Sequence, residues 1–184
     1  MNRRYYAVVL AGGQGLRMGY DIPKQFIEIE GKPILRHTIE RFRESFDEIE
    51  IIVVLPSGEK EYWKEYCKRT GFLDRYVMPS GGITRFHSVQ NALKYVPDGA
   101  IVAVHDGVRP FVTRDFLRSM FKKMEECKAL VPVTLPVESL REIGPDGTST
   151  AVDRSRYRLV QTPQIFHSEL LKEAYSQPYN PLFT

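Results

Sequence analysis

The chain has 184 residues, 42% hydrophobic and 27% charged, which fits a single domain with a core of its own. A net charge of only +3 argues against a nucleic-acid coat or a polybasic membrane patch. Two cysteines exclude a disulfide framework, and no apolar run is long enough to span a bilayer; Cys67 and Cys127, both in helix-like segments, read as reduced, buried thiols of a cytoplasmic protein.

In chain order, "YYAVVLAG" (residues 5–12) suits a strand buried on both faces. Charged, polar sequence follows it too soon for a signal peptide. Pro33 sits at the start of a helix whose Ile34, Leu35, Thr38, Ile39, Phe42 and Phe46 share one face. "EIIVVLP" (50–56) is a second strand. Tyr62, Trp63, Tyr66 and Cys67 form the next helical stripe, which stops at Gly71. "RYVMPSGG" (75–82) predicts a short strand and a glycine turn, Phe86, Val89, Leu93 and Val96 a third helix, and "AIVAVHD" (100–106) a buried strand. Thr113 can cap a helix carrying Phe116, Leu117, Met120, Phe121 and Met124. "ALVPVTLP" (129–136) reads as a fourth long strand. The alternation predicts an α/β fold, a Rossmann-like, mostly parallel sheet with helices on both faces. Past residue 137 a Pro-Asp-Gly turn between two β-leaning arms predicts a β-arm, about 137–160, projecting from the sheet. A short helix in "HSELLKEAY" (167–175) follows. No repeat or linker divides the chain, so 1–184 is expected to be one domain.

The first strand runs into "GGQGLRMG" (12–19). At the carboxyl end of a parallel strand, bare glycine backbone lets N–H groups approach an anion. Arg17 and Lys24 add positive charge, and a polyphosphate needs several such donors. The dinucleotide fingerprint is broken: Met18 stands where the third glycine belongs and Pro23 interrupts an early helix. P-loop spacing is absent, and a solvated surface turn is the alternative on these residues alone. In "SGGITRFHSVQNAL" (80–93), backbone groups of Gly81 and Gly82 are open to the edge of a base, with Ser88 beside them. Arg85 is equally readable as a ligand contact or a salt bridge; His87 reads as structural. Asp106 ends a buried strand where a carboxylate is well placed for Mg²⁺, or to cap the next turn. Arg109, before Pro110, suits phosphate, but pairing with a carboxylate is preferred.

Together, A-G-G-x-G-x-R-M-G with Pro23-Lys24-Gln25, "GGITRFHSVQNAL" (81–93), "VHDGVRPFV" (104–112), "VDRSRY" (152–157) and "QTPQIF" (161–166) resemble the sugar-phosphate nucleotidyltransferases. More narrowly, they resemble the isoprenoid-pathway cytidylyltransferases, which make CDP-methylerythritol from CTP and 2-C-methyl-D-erythritol 4-phosphate. The resemblance covers nearly the whole chain. It implies Arg17 and Lys24 as catalytic cations at the α-phosphate, and Mg²⁺ as cofactor. It implies a CTP site of Ala11, Gly12, Gly13, Gly15, Gly81, Gly82 and Ser88, the last helping to select cytosine. Asp106 falls at the metal–nucleotide site or near the incoming substrate, and Thr162 on the substrate side. The matching Arg154 grips the methylerythritol phosphate across the interface of a homodimer whose arms exchange. Neither nucleic acid nor membrane is an expected partner. Two departures stand out. Glu138-Ser139-Leu140-Arg141 replaces the family's usual Asp-Thr-Leu-Lys. The family also continues with an Asp-Asp-Ala element, a strand and a phosphate-reaching lysine that are not in this sequence. A ribitol 5-phosphate cytidylyltransferase and an inactive nucleotide-binding subunit are the alternatives; the broken fingerprint disfavours a nicotinamide dehydrogenase.

Overall fold

The computed structural model describes residues 4–13, 22–72 and 74–181. β1 (Tyr5–Leu10) is buried along its centre, as a continuous apolar run is at the middle of a parallel sheet. A small hairpin of β2 (Glu28–Ile29) and β3 (Lys32–Pro33) turns on Glu30 and Gly31, both at positive φ. α1 (Ile34–Ser45) follows, with Pro33 extended at its N-cap rather than inside its first turn. β4 (Glu50–Val54) leads to α2 (Lys60–Thr70), which ends on Gly71 at φ 65°, a left-handed cap that favours glycine. β5 (Tyr76–Val77) precedes α3 (Arg85–Leu93), and β6 (Ile101–Asp106) precedes α4 (Arg114–Lys123). Thr113 caps α4 as expected, its hydroxyl accepting the Phe116 N–H at 3.2 Å.

The chain then leaves the regular alternation. β7 (Ala129–Leu130) and β8 (Val133–Thr134) are followed by the arm, β9 (Arg141–Ile143) and β10 (Ser149–Ala151), paired antiparallel. β11 (Leu159–Val160) returns along β8, and β12 (Gln164–His167) leads into α5 (Ser168–Tyr175). Six strands make the main sheet in the order β5-β4-β1-β6-β12-β7. The first four are parallel, and β12 runs antiparallel to both β6 and β7. One face carries Leu35, Ile39 and Phe42 of α1, Trp63 and Tyr66 of α2, and Leu117 and Phe121 of α4. The other carries Val89, Ala92 and Leu93 of α3 and Leu171 of α5. Both faces are thus covered, as a parallel sheet requires.

Three expectations need correction. "ALVPVTLP" is not one long strand: Pro132 has no N–H for the ladder, so β7 stays in the sheet while β8 leaves it. Cys67 is buried in α2, but Cys127 lies beyond α4 and is only half-buried. Phe116 is 39% exposed, because the buried stripe of α4 is Leu117, Met120, Phe121 and Met124 and Phe116 sits one residue off that face.

His105, near the end of β6, is fully buried. Its Nε2–H donates to the Arg109 carbonyl at 3.0 Å, its ring meets Phe42 edge-on, and Nδ1 is buried with no partner among the described residues. Burial pushes its pKa down to about 4 from 6.5. The folded state therefore favours neutral His105. Its contribution is complete above about pH 6.5 and is lost as pH falls towards 4, because the unfolded chain takes up the proton first. The loss should be on the order of 3 kcal/mol. Urea unfolding near pH 7 and pH 4.5 should show a clearly smaller acid loss for His105→Asn than for wild type. Equal losses would mean that other groups carry it.

Candidate active site

Parallel pairing sets the ends of three strands level. Leu10 is in register with Val54 on one side and with Asp106 on the other. The segments leaving these ends are tied back to the sheet: Ala11 N–H donates to Val54 O at 2.9 Å and Gly107 N–H to Leu10 O at 2.7 Å. Between them opens a cleft of about 420 Å³ at the carboxyl edge of the sheet.

One wall is Ala11, Gly12, Gly13, Lys24 and Gln25. Gln25 and Phe26 are buried and hold the short turn in which Lys24 stands half-buried. A Cβ placed on Gly13 would lie 3.4 Å from Lys24 Cε and 3.6 Å from Nζ. The ammonium therefore lies over bare backbone, and it makes no ion pair among the described residues. Gly15 and Arg17 lie outside the described residues.

The opposite wall is Gly82, Ile83, Thr84, Arg85 and Ser88, with Gly81 just behind. Here the geometry refines the sequence reading. Gly81 N–H donates to Leu55 O at 2.9 Å, and Gly82 N–H donates to Ser88 Oγ at 3.0 Å. Ser88 in turn donates to Thr84 O at 3.0 Å. Both glycine donors are used within the protein, and Ser88 shapes the turn. Thr84 caps α3, and His87 joins that cap through an Nδ1 contact of 2.8 Å to Thr84 Oγ1, the structural role expected of it. Ile83 stands at the rim, 97% exposed.

Asp106 forms the floor. Its Oδ2 pairs with Arg109 Nε at 2.9 Å, and its Oδ1 lies 3.9 Å from Arg85 Nε. Arg109 Nη1 also donates to Gln161 Oε1 at 2.6 Å, and Asp106 N–H donates to Thr162 Oγ1 at 3.4 Å. Arg109 therefore pairs with a carboxylate, as preferred, and Thr162 stands behind Asp106, in the adjoining pocket with Gln161 and Pro132. Arg154 does not join them within one chain: it donates to the Val137 carbonyl on the arm, away from the residues lining the cleft. No group of three or more His, Cys, Asp or Glu able to hold a metal exists among the described residues. Sequence reasoning missed Gln161 and the partner of Gln25, Glu59, whose carboxylate accepts the Gln25 amide at 2.5 Å. Gln25 lay in a quoted motif; nothing in the sequence marked Glu59.

A mostly parallel α/β sheet with a glycine-walled, cation-bearing cleft at its carboxyl edge belongs to the class of α/β proteins that hold ligands at their strand ends, and the bare backbone and cation suit an anionic ligand such as a nucleotide. The family model for 2-C-methyl-D-erythritol 4-phosphate cytidylyltransferase matches residues 5–184. Proteins of that name from Bacteroides thetaiotaomicron and Porphyromonas gingivalis are 48% and 49% identical to this chain. The matches cover 96% and 100% of it, and 80% and 82% of those proteins. A solved 4-diphosphocytidyl-2C-methyl-D-erythritol synthase from Anaerococcus prevotii shares the fold, with a TM-score of 0.80 at 24% identity over 98% of this chain and 78% of its own. The chain belongs to the 2-C-methyl-D-erythritol 4-phosphate cytidylyltransferase family.

The two glycines of the turn should differ sharply in tolerance. A Cβ at Gly82 would fall 2.3 Å from His87 Cβ and 2.8 Å from the His87 carbonyl carbon, whereas at Gly81 the nearest atom is Ser88 Oγ at 3.5 Å. Gly82→Ala should cost about 1–3 kcal/mol through overpacking. Gly81→Ala should stay within roughly 0.5 kcal/mol of wild type. Denaturant titration of the two variants decides it, and equal costs would contradict the geometry.

Proposed function

We propose that this chain transfers CMP from CTP to 2-C-methyl-D-erythritol 4-phosphate, giving CDP-methylerythritol and pyrophosphate for non-mevalonate isoprenoid precursor synthesis. Family membership supports the reaction. The observation that carries the site is the Lys24 ammonium lying over Gly13 in the cleft, without an ion pair among the described residues. A triphosphate at this edge meets bare backbone on one side and a free cation above it. The carbonyls of the Gly81-Gly82 turn suit the exocyclic amino group of cytosine, a donor that uracil lacks.

The substrate's phosphate oxygen attacks the α-phosphorus, the bond to the β-phosphate oxygen breaks, and pyrophosphate leaves. A phosphate monoester is largely ionised at neutral pH, so no general base is needed. The protein's work is then positioning and charge stabilisation. Lys24, with Arg17, would meet the negative charge that builds on the α-phosphate. Asp106 is the carboxylate at the floor, and one carboxylate plus substrate phosphates is a donor set that Mg²⁺ accepts. An ion held there would neutralise triphosphate charge. Thr162, bonded at Asp106, would lie on the side of the second substrate.

The arm leaves Leu135, Val137, Ile143, Leu159 and Val160 exposed, 46–75% in each case. A second copy covering this apolar strip would form a homodimer and bring the partner's Arg154 to the sugar phosphate. CTP and a sugar-alcohol phosphate are charged, water-soluble molecules, which suits a cytoplasmic enzyme, and no helix among the described residues is long and apolar enough to cross a membrane.

Pyrophosphate release should require CTP with methylerythritol phosphate. Preference for ribitol 5-phosphate, or no release from any pairing, would overturn the reading. Lys24→Ala and Arg17→Ala should each lower turnover about 100-fold or more with the fold intact. Mixing inactive Lys24→Ala and Arg154→Ala proteins should restore about a quarter of wild-type activity, because half the dimers then hold one complete site. Without that rescue, the shared site is wrong.

A further inference from the structure

We propose that Glu59 is a positioning residue for nucleotidyl transfer: by holding the Gln25 amide, it fixes where the Lys24 ammonium stands in the cleft. The inference rests on the reading of Lys24 given above and extends it to a residue 35 positions away in the chain.

Gln25 is fully buried, yet among the described residues only one end of its amide is satisfied. Its Nε2–H donates to Glu59 Oε2 at 2.5 Å, while Oε1 is buried with no partner among the described residues. The bond to Glu59 is therefore what orients the amide. Glu59 pairs with no cation among the described residues. It ends the short turn before α2, where the helix N-terminus favours negative charge. Burial pushes its carboxyl up from the usual range and the Gln25 bond draws it back, so the amide is the partner that the carboxylate has.

The next residue is gripped by the same helix. Phe26 packs against Tyr62 and Trp63 with ring centroids 4.7 and 6.1 Å away. The start of α2 thus holds both residues that follow Lys24. The Lys24 carbonyl also accepts the Ile27 N–H at 3.2 Å, closing the turn. The lysine stem is flexible, so the ammonium is aimed mainly by where its backbone is held. A shift of about 1 Å in such a group costs up to about 100-fold in a reaction that depends on placement.

A merely stabilising role for Glu59 makes a different prediction: its loss would hurt whether or not Lys24 is present. CTP should be titrated calorimetrically, with Mg²⁺, into wild type, E59Q, E59A, Gln25→Met, K24A, and the E59A/K24A and Q25M/K24A doubles. K24A should weaken binding about 10-fold or more, the loss of one charge-assisted contact. E59A and Q25M should each weaken it about 10-fold. E59Q, whose side-chain oxygen still accepts the amide, should stay within about 3-fold of wild type. In the K24A background neither E59A nor Q25M should weaken binding further. Additive losses in the doubles, wild-type binding by E59A and Q25M, or an E59Q as weak as E59A would each overturn the inference. Should E59A not fold, Q25M carries the same comparison. Wild-type binding by K24A would overturn the phosphate cradle itself and this inference with it. Binding lost in K24A but kept in E59A and Q25M would overturn the inference alone.

Discussion

Leu10 pairs at once with Val54 and Asp106, and that register decides where everything else in the molecule can act. Parallel strands reach one another only through crossovers, so each strand releases its chain at the same edge. The shared edge therefore places three loops together: the glycine segment after β1, the Ser80–Thr84 turn after β5, bridged at Ser80 to Leu55 just past β4, and the Asp106 corner after β6. Backbone bonds from Ala11, Gly81 and Gly107 then stitch these loops to neighbouring strand ends. Gly107 shows how close the approach is. A Cβ there would lie 3.1 Å from both Ala11 Cβ and Leu10 O, and 3.2 Å from Leu35 Cδ1. A side chain at that point would push apart the strand ends that form the cleft. The two apolar layers hold this edge indirectly, by packing on both faces of β1, β4 and β6.

Charge in the cleft is divided unequally. Asp106 is close to two guanidiniums, yet Lys24 has no counter-ion among the described residues. The Arg85 contact, at 3.9 Å, is long and partly exposed, and such pairs contribute little in water. A polyanionic substrate would compete for both arginines on favourable terms, leaving the carboxylate free for a cation that the same substrate carries. The arrangement holds positive charge ready while limiting self-repulsion. The neighbouring neutral, buried His105 fixes the corner through the Arg109 carbonyl and adds no charge to it.

The layers of the fold were legible because they follow periodicity. The runs at β1, β4 and β6 and the stripes of α1 to α4 are set by local burial, and Gly71 and Thr113 mark their ends by local chemistry. β12 was not legible. Its four residues become a sheet strand only by pairing with β6 and β7, which no local signal specifies. The break at Pro132 was legible and was passed over, since a proline within a strand run argues against a central position. At the site, the glycines, Lys24 and Asp106 were readable as residue types suited to phosphate and metal. The roles of Ser88 and Glu59 were not, because they depend on what a side chain meets across a turn or a gap of 34 residues. Arg17 and Gly15 remain a reading of the sequence, outside the described residues.

The antiparallel strand that the sequence hid also ties the arm to the chemistry. The chain leaves the sheet after β7, makes the arm, and must return beside β6 to form β12. That return sets three consecutive residues in a row. Val160 is 57% exposed on the arm's root, Gln161 binds Arg109, and Thr162 accepts the Asp106 N–H. The root is itself anchored by Gln161 N–H donating to the Pro132 carbonyl at 2.8 Å. A proline that breaks the ladder thus still supplies the acceptor that fixes the returning chain. Any partner that covers Val160 presses on the residue next to the one holding Arg109. The apolar surface at Val160 and the residues that meet Arg109 and Asp106 are therefore neighbours in sequence as well as in space, so the dimer proposed above would adjoin the Asp106 corner.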